Sequence, residues 1–369
     1  MQIETLTLRG FRNYDEVTVA PCAGINLFVG DNAHGKTNLV EGIYYLAAGK
    51  SFRTHKEAEL VGLGLEFAEL SADVFTEERT KNLRAVLFAS RRPRQLFLSG
   101  IKQKTFGAFA GNLTAVLFCP DDLSVLRGGA AARRRMIDLA LCQLRVGYDN
   151  ALSEYTRLCE QKSRILRDRE QYPSLLDALP EFSDGMCRYG ARILSVRARY
   201  LRALGEQAAA FHSEFSGGGE TLRMEYHTVS SVDDPFADEA VIYDRLKSHM
   251  ESHRIAELES GQCLSGVHRD DFELFLGDLP LKSFGSQGQT RTAAISLKLA
   301  ERELFCRDTG QMPVLLLDDV LSELDAKRQD YLLNKLQRGQ IFITCCEPDR
   351  LTTVGKTFTV QNGTVTEKE

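Results

Sequence analysis

The first thirty residues of the chain alternate between hydrophobic and polar positions. The alternation runs over residues 3–8 and 17–19, with a turn at residues 10–13, and a continuous apolar run follows at residues 25–29. A period of two residues is typical of strands that bury one face, and a short apolar run between turn signals is typical of a fully buried strand. The pattern therefore predicts strands on both sides of the turn and a buried strand before residue 30.

Along the remainder of the chain, the pattern of hydrophobic and polar positions changes twice. Residues 58–118 return to a β pattern, residues 130–260 carry amphipathic helical stripes, and the last hundred residues alternate between helix and strand. This order predicts an α/β core that a helical insertion interrupts, with the two halves of the core far apart in sequence. The predicted boundaries are residues 1–128 and 263–369 for the core and residues 129–262 for the insertion.

A glycine-rich segment joins the apolar run at residues 25–29 to a helical pattern at residues 39–46. It fits GxxxxGK[ST], in which glycines let successive backbone N–H groups point at phosphate oxygens, and the strand before it and helix after it are the required context. Lys36 is then expected to neutralise the β- and γ-phosphates of ATP, and Thr37 to bind Mg²⁺, beside the positive end of the helix. The predicted phosphate-binding residues are Gly30, Asp31, Asn32, Ala33, His34, Gly35, Lys36 and Thr37.

Residues 314–319 form an apolar run that ends in two carboxylates. A buried parallel strand of this kind delivers an acid to the C-terminal edge of a sheet, where α/β proteins bind their ligands. With a phosphate-binding loop upstream, Asp318 is predicted to hold Mg²⁺ through water, and Asp319 to polarise the attacking water as a general base. Without that loop, a core strand followed by a solvated acidic turn would explain the run equally well.

A second potential anion site is the turn Ser-Gln-Gly-Gln at residues 286–289, which opens a helical run. A small turn at a helix N-terminus presents backbone N–H groups to an anion, although a plain helix cap would have the same sequence. The first loop already surrounds the phosphates within one chain. Ser286, Gly288 and Gln289 are therefore predicted to reach the γ-phosphate of a nucleotide held by a second copy, and residues 321–325 to lie along the same interface.

Composition and charge narrow the class of protein. With 43% hydrophobic and 26% charged residues, the chain is that of an ordinary globular protein, and its apolar runs are far too short to cross a bilayer. The net charge of −5 argues against an overall basic nucleic-acid binder but permits a local basic surface. The nine cysteines contain no CxxC pair, so neither a disulfide framework nor a zinc site is expected, and reduced thiols in a cytoplasm fit best.

The order of phosphate-binding loop, S-x-G-Q turn, acidic strand and S-x-L-D segment resembles the ABC ATPase superfamily. Transporter subunits place the turn much closer to the loop than here, where residues 38–285 separate the two. The long separation indicates the chromosome-maintenance branch. The helical insertion is far too short for the coiled-coil arms of SMC proteins.

Within that branch, local motifs along nearly the whole chain resemble the RecF family. They are LRGFRNY at 8–14, GKTN at 35–38, KSFR at 50–53, FCPDDL at 118–123, GVHRDD at 266–271 and LDDVLSELD at 317–325. The resemblance implies an ABC-type ATPase head with a mixed-sheet core, and adds Arg12 and Asn38 to the nucleotide-binding residues. It also implies an ATP-dependent homodimer on single-stranded and gapped duplex DNA, weak ATP hydrolysis, a role in the SOS response, and RecA loading beside RecR and RecO.

Three departures from related patterns affect the predicted chemistry. Ala33 and His34 stand where the family more often has Gly-Gln, and His34 is expected to face solvent. Residues 344–346, Thr-Cys-Cys, stand where transporters carry a switch histidine, which leaves the γ-phosphate contact there open. Asp319 replaces the usual transporter glutamate, and its shorter reach predicts the slow turnover of a switch.

Residues 80–104 contain seven basic residues and no acidic one. On a β-hairpin they would form a positive surface suited to phosphate contacts without base readout, although nearby acids could balance it. The predicted DNA-binding residues are Lys81, Arg84, Arg91, Arg92, Arg94, Lys102 and Lys104. Further basic candidates are Arg133, Arg134, Arg135, Arg192, Arg197, Arg199 and Arg202.

Two questions stay open from the sequence. Residues 268–271 (His-Arg-Asp-Asp) form either a buried ion-pair corner that braces the two halves of the core or part of a dimer or nucleotide interface. An ABC-type transport subunit and an SMC-like chromosome-structuring head are the alternative functions. The long insertion and the missing switch histidine count against the first, and the absence of coiled-coil arms counts against the second.

Overall fold

The computed structural model describes residues 1–76, 79–336, 338–346 and 355–368. Its strands are β1 (Gln2–Phe11), β2 (Tyr14–Val19), β3 (Ile25–Val29), β4 (Phe67–Phe75), β5 (Thr80–Phe88), β6 (Gln95–Leu98), β7 (Ile101–Gln103), β8 (Ala115–Phe118), β9 (Leu222–His227), β10 (Asp271–Leu276), β11 (Leu279–Pro280), β12 (Val314–Asp318), β13 (Ile341–Cys345), β14 (Lys356–Gln361) and β15 (Thr364–Lys368). Its α-helices are α1 (Lys36–Ala48), α2 (Phe106–Phe109), α3 (Pro120–Val125), α4 (Ala130–Leu144), α5 (Tyr148–Asp168), α6 (Leu179–Ser216), α7 (Glu239–Ser252), α8 (Arg254–Ser260), α9 (Leu281–Phe284), α10 (Gln287–Thr309) and α11 (Ala326–Lys335). Short 3₁₀ helices span Glu57–Leu60, Pro173–Ala178, Val267–Arg269 and Val320–Glu323.

These elements form two compact units, and the predicted α/β core with a helical insertion is confirmed. The core unit comprises Met1–Ser124, Cys142–Val146 and Gln287–Glu369, and the helical unit comprises Val125–Leu141 and Gly147–Ser286. Residues 263–286, which the sequence pattern grouped with the second half of the core, fall in the helical unit. The difference arises because β10 pairs antiparallel with β9 along its whole length, a long-range pairing that local patterns do not encode.

The core unit is built on two six-stranded sheets. One is antiparallel, in the order β2-β1-β4-β5-β6-β7. The other has the order β15-β14-β3-β13-β12-β8, in which only the edge strand β15 is antiparallel to its neighbour. Strand β3, from the start of the chain, lies between β13 and β14, from its end. The carboxyl ends of β3 and β12 therefore reach the same edge of one sheet.

Helix α1 packs between the two sheets, in contact with β1 and β4 of the first and with β8, β12 and β13 of the second. Nearly all of its residues from Leu39 onward are buried, as expected for a helix that is apolar on every side. The side chain of Gln340 adds a polar link at the far ends of the sheets. It accepts a hydrogen bond from the Ile3 N–H (2.7 Å) and donates to the Ile3 and Cys22 carbonyls (both 2.9 Å).

The helical unit combines helices α5, α6 and α7 with the three-stranded antiparallel sheet β11-β10-β9. Its buried interior includes several polar groups, among them the guanidinium of Arg197. The guanidinium of Arg197, 2% exposed, forms ion pairs with Asp138 and Asp270 (both 3.0 Å) and donates to the Val267 carbonyl (2.8 Å). The suggestion that Arg197 belongs to an exposed basic face is therefore wrong.

Asp270 completes that buried corner by accepting hydrogen bonds from the Tyr226 hydroxyl (2.5 Å) and the Thr228 hydroxyl (2.7 Å). The ion-pair interpretation of residues 268–271 thus holds, but the corner lies inside the helical unit and does not brace the two halves of the core. Along the described ranges, no helix has both the length and the apolar character of a membrane span.

Replacing Arg197 by Met should lower the free energy of unfolding by about 3–5 kcal/mol, because it leaves Asp270 buried without its partner. The matched control is Arg199→Met, two residues along the same helix at an exposed position, which should change stability by less than about 0.5 kcal/mol. Urea unfolding followed by circular dichroism measures both. The loss of unfolding free energy in Arg197→Met should become smaller as pH falls, since protonation neutralises the unpaired Asp270 carboxylate. Equal losses of stability in Arg197→Met and Arg199→Met would contradict the buried ion pair.

Candidate nucleotide-binding site

The phosphate-binding loop runs from the end of β3 to the start of α1, and close packing explains its glycines. At Gly30 a Cβ atom would overlap the backbone carbonyl of Val360, and at Gly35 it would lie 2.7 Å from Nδ2 of Asn13. Gly35 also has a φ of 116°, which turns the chain into the helix. Ala33 adopts a left-handed φ of 68°, at a cost of about 1–2 kcal/mol that a glycine would avoid.

Two side chains of the β1–β2 turn hold this loop. The Tyr14 hydroxyl donates to the Gly35 carbonyl (2.8 Å), and the Asn13 amide donates to the His34 carbonyl (3.1 Å). Asn38, in the first turn of α1, donates to Oδ1 of Asn13 (2.8 Å). The sequence analysis predicted no role for Asn13 and Tyr14. Only their position in the LRGFRNY motif at residues 8–14 indicated that they matter.

His34 packs against the β14–β15 turn. Its Nδ1 atom lies 3.2 Å from the Asn362 N–H, and its carbonyl accepts from the Gly363 N–H (3.1 Å). His34 is half-buried, so it is partly open to solvent and partly packed against this turn. The loop is therefore supported by turns on two sides before any ligand is considered.

The Lys36 ammonium lies inside the loop, and the residue is only 3% exposed. It donates to the carbonyls of Gly30 (2.6 Å) and Asp31 (3.0 Å) and contacts Sγ of Cys346 (3.4 Å). The Cys346 thiol in turn donates to Oδ1 of Asn32 (3.1 Å). A buried ammonium needs such partners, and phosphate oxygens are stronger acceptors than the carbonyls that serve here.

Asp318 ends strand β12 at the same edge of the sheet and is 4% exposed. Its Oδ1 atom accepts hydrogen bonds from the hydroxyls of Thr37 (3.0 Å) and Thr344 (2.8 Å). Burial raises the pKa of Asp318, and the hydrogen bonds from Thr344 and Thr37 oppose that rise. Hydroxyl and carboxylate oxygens are the ligands that Mg²⁺ prefers, so the donor set fits the predicted metal.

Asp319 follows in a left-handed conformation with a φ of 51°. Its N–H donates to the Thr344 hydroxyl (2.9 Å), and its carbonyl accepts from the Ser322 hydroxyl (2.7 Å), at the start of a 3₁₀ helix. A non-glycine residue with positive φ stores backbone strain, which concentrates at functional sites. The chain thus leaves the strand after Asp318 and enters the 3₁₀ helix through the left-handed conformation of Asp319.

Arg12, predicted to bind nucleotide, is held by the protein. It donates to both carboxylate oxygens of Glu41 (2.9 and 2.8 Å) and to the Glu59 carbonyl (2.9 Å). Glu41, on α1 and 0% exposed, also accepts from Ser51 (2.5 Å) and Arg53 (3.3 Å). The motif at Arg12 and the motif at Ser51–Arg53 therefore meet at one buried carboxylate, and nucleotide binding by Arg12 stays a prediction.

The S-x-G-Q turn contains the point along the chain at which the helical unit ends and the core unit resumes. Ser286 is the last residue of the helical unit and is exposed, whereas Gly288 and Gln289, both half-buried, lie in the first turn of α10 in the core unit. The turn is thus at the surface, at the N-terminus of a 23-residue helix. Backbone N–H groups at such an end favour an anion.

Arg328 joins the beginning of α10 to the S-x-L-D segment. Its guanidinium donates to the Gly288 carbonyl (2.9 Å) and the Thr292 hydroxyl (3.1 Å). Its backbone N–H donates to Oδ1 of Asp325 (3.0 Å), and its side chain forms an ion pair with the same carboxylate. The structure therefore brings together the two motifs that the sequence assigned to one interface.

The basic residues of 80–104 do not share one free surface. Arg84 pairs with Glu69 (3.1 Å) and stacks 4.2 Å over the ring of Phe97. Lys81 donates to Asn112 (2.9 Å) and, by strand alternation, lies on the opposite face of β5 from Arg84.

Arg94 is turned inward, where it donates to the Tyr45 hydroxyl (3.0 Å), the Glu57 carboxylate (2.7 Å) and the Gly49 carbonyl. It caps the C-terminal end of α1 and so does not belong to an exposed set. The candidates whose side chains are exposed are Arg91, Arg92, Lys102 and Lys104.

Comparisons with known proteins agree with this geometry. A family model described as the RecF/RecN/SMC N terminal domain matches residues 2–367. The DNA replication and repair protein RecF of Shouchella clausii is 37% identical, with 99% of each chain covered. RecF of Acetivibrio thermocellus is 36% identical over 95% of this chain and 94% of its own.

Solved structures give the same answer. The recombination mediator protein RecF-ATPrS, in the RecFOR pathway, superposes with a TM-score of 0.92 at 31% identity and covers 100% of this chain and 98% of its own. An Smc head bound to the C-winged helix domain of ScpA superposes at 0.57 with 15% identity over 100% of this chain and 97% of its own, and shows the shared fold alone. The match to the RecF structure extends through both units, and the ATPase-head fold inferred from the motifs is confirmed. The chain belongs to the RecF family of DNA replication and repair proteins, within the RecF/RecN/SMC group.

Proposed function

We propose that this chain is an ATP-dependent DNA-binding protein of recombinational repair and replication, and that ATP joins two copies of it on DNA. One observation carries the proposal: the chain offers a phosphate-binding loop with its acidic edge and, apart from it, an exposed S-x-G-Q turn tied to Asp325 by Arg328. One nucleotide needs a single loop. The second anion-binding turn is used only if it meets the γ-phosphate held by another copy.

Within one copy, the chain's own groups have distinct tasks. Lys36 exchanges the loop carbonyls for β- and γ-phosphate oxygens, which accept a charge-assisted hydrogen bond. The Thr37 hydroxyl, which now donates to the Asp318 carboxylate, would bind Mg²⁺ directly, and Asp318 would hold it through water. The ion would neutralise charge on the phosphates. Asp319 polarises the attacking water, and its short side chain makes hydrolysis weak and slow, as suits a switch.

DNA contacts are assigned to Arg91, Arg92, Lys102 and Lys104, which are exposed near the β5–β6–β7 edge of the antiparallel sheet. In a chain of net charge −5, affinity for phosphates has to come from such a local cluster. Single-stranded and gapped duplex DNA are the proposed substrates. By kinship with the RecFOR-pathway structures, the chain acts in the cytoplasm with RecO and RecR, helps to load RecA and contributes to the SOS response.

Lys36→Met should weaken ATP binding by roughly 10- to 150-fold, the equivalent of the 1.5–3 kcal/mol of a hydrogen bond to a charged group. Hydrolysis should fall to background. Titration with a fluorescent ATP analogue measures the change. Lys56→Met, at a largely exposed lysine, is the matched control and should bind ATP normally, and thermal unfolding confirms that both variants are folded. Normal ATP binding by Lys36→Met would contradict the site.

Ser286→Arg should bind ATP as the unsubstituted chain does but fail to dimerise with it, because an arginine in the turn blocks the partner's γ-phosphate. Sedimentation with ATP, ADP or no nucleotide, with and without gapped DNA, measures the assembly. Ser260→Arg, at another exposed serine of the helical unit, should dimerise normally. A normal ATP dimer of Ser286→Arg, or a monomeric unsubstituted chain under every condition, would refute the two-copy arrangement.

Changing Arg91, Arg92, Lys102 and Lys104 together to Gln should reduce the slope of log affinity against log salt for duplex DNA by about 0.9 for each phosphate that the variant no longer neutralises. Fluorescence anisotropy across a salt series measures this slope. ATP binding should be unchanged, since the loop is elsewhere in the core unit. Arg84→Gln, at an arginine already paired with an acid, is the control with little expected effect. An unaltered slope in the fourfold variant would place the DNA elsewhere.

A further inference from the structure

Two thiols and an imidazole converge in the helical unit, apart from the residues of the nucleotide site. Cys159 lies on α5, Cys263 lies just after α8, and His268 lies in the 3₁₀ helix Val267–Arg269. Their ligand atoms are all within 4.8 Å of one another. No CxxC pair indicates this group, and Cys159 lies far along the chain from Cys263 and His268, which are five residues apart.

The spacing suits a tetrahedral metal ion. Zinc binds sulfur at about 2.3 Å and imidazole nitrogen at about 2.0–2.1 Å, so neighbouring ligand atoms lie roughly 3.4–3.8 Å apart around the ion. The ligand atoms, now within 4.8 Å of one another, would need to approach by at most about 1.4 Å through rotamer adjustments to reach that geometry. Two soft sulfur donors with one imidazole select zinc-like ions over Mg²⁺ or Ca²⁺, which prefer oxygen.

Both ring nitrogens of His268 have partners that fix the orientation of the ring. Its Nδ1 atom lies 2.8 Å from the hydroxyl of Tyr155, one helical turn before Cys159, and its Nε2 atom lies 3.3 Å from the Cys263 carbonyl. Tyr155 is buried. Since a carbonyl only accepts, Nε2–H donates to the Cys263 carbonyl and Nδ1 accepts from the Tyr155 hydroxyl. Metal binding through Nε2 would use the other tautomer of the ring, in which Nδ1–H donates to the Tyr155 oxygen. A fixed partner on the second ring nitrogen is typical of metal-binding histidines.

The two sulfurs lie within 4.8 Å of each other. The Cys263 thiol donates to the Ser265 carbonyl (3.7 Å). A divalent ion would bind both sulfurs as thiolates, and the thiol protons would pass to solvent.

A route for the ion and a fourth ligand is present. Cys159 and His268 line a 350 Å³ cavity that Ser163, Thr156 and Glu160 also border. Cys159 and His268 are half-buried, whereas Cys263 is buried. A water molecule entering from this cavity can occupy the fourth position of the tetrahedron.

We propose that Cys159, Cys263 and His268 bind one zinc-like divalent ion, with water as its fourth ligand. The ion would join α5 to the segment that precedes β10, next to the buried Arg197–Asp270 ion pair. Because the site is assembled only in the folded chain, binding stabilises the helical unit. The proposal does not depend on ATP binding or on DNA.

Cobalt(II) titration of the full chain under reducing conditions tests the site. The unsubstituted chain should bind one Co²⁺ per chain with the near-ultraviolet thiolate-to-metal band and the visible bands of a tetrahedral ion, and Zn²⁺ should bleach both. Cys159→Ser is a nearly isosteric change at a half-buried position. It should lose much of the thiolate band and bind Co²⁺ more than about 100-fold more weakly, a larger loss than changing a residue that only contacts a metal ligand would cause. Tyr155→Phe, which removes only the outer partner, should weaken binding by about 10- to 100-fold and keep the band positions.

Cys306→Ser is the matched control, at a half-buried cysteine of α10 in the core unit, and should bind Co²⁺ normally. Zn²⁺ should raise the thermal unfolding midpoint of the unsubstituted chain and of Cys306→Ser, but not that of Cys159→Ser. Unchanged cobalt spectra and affinity in Cys159→Ser would overturn the proposal. So would a reduced chain that takes up no Co²⁺ and whose two cysteines only form a disulfide on oxidation.

Discussion

The candidate nucleotide site depends on one hydrogen-bonded junction, in which Asp318 accepts from Thr37 and Thr344. Asp318 and Thr344 are register partners on adjacent parallel strands, and Thr37 is in the first turn of the helix that leaves the neighbouring strand β3. The junction therefore exists only if the N-terminal and C-terminal parts of the chain interleave in one sheet. The insertion between those parts is tolerated because the strands, and not the connection, fix the register.

A second constraint is the burial of charge around this junction. Glu41 is compensated by Arg12, Arg53 and Ser51, and Lys298 on α10 is compensated by Asp122 (3.1 Å) and Glu301 (3.2 Å). Such pairs contribute little net stability, but removing one partner is costly, so they fix a single arrangement of the elements that carry them. Lys298 and Arg328 hold α10 at two points along its length. The helix that begins at the S-x-G-Q turn is thereby bonded to Asp122 through Lys298 and to the S-x-L-D segment through Arg328.

The sequence predicted the parts of this site whose chemistry is local. The loop at Gly30–Thr37 and the run that ends at Asp318 each combine a periodic apolar pattern with residue types that phosphate or Mg²⁺ requires, so a short window was enough. Arg94, Arg197 and His268 were beyond that method. Their roles are set by partners such as Glu57 and Asp270, which meet them only after long-range strand and helix packing.

The same distinction explains why only some of the basic residues of 80–104 are exposed. Charge counting along the chain could not see that Glu69, on a neighbouring strand, neutralises Arg84. The boundary at residue 263 moved for a similar reason, since a β pairing between residues 222–227 and 271–276 decides it. Local composition predicted that these segments form strands or carry charge, but not which residues or strands they pair with.

The phosphate-binding loop already has internal partners: Lys36 is bonded to loop carbonyls, and Thr37 is bonded to Asp318. Binding of ATP and Mg²⁺ would exchange these contacts for stronger ones, so the gain in free energy is a difference and not the full value of each new bond. Residues 344–346 (Thr-Cys-Cys) stand where transporters carry a switch histidine, and a cysteine thiol is a weaker hydrogen-bond donor than an imidazole. Under the proposed function, much of the discrimination between ATP and ADP then falls to the S-x-G-Q turn of the second copy. Recognition of the γ-phosphate would then require dimer formation. Hydrolysis of ATP would end the dimer and so limit how long it stays bound to DNA.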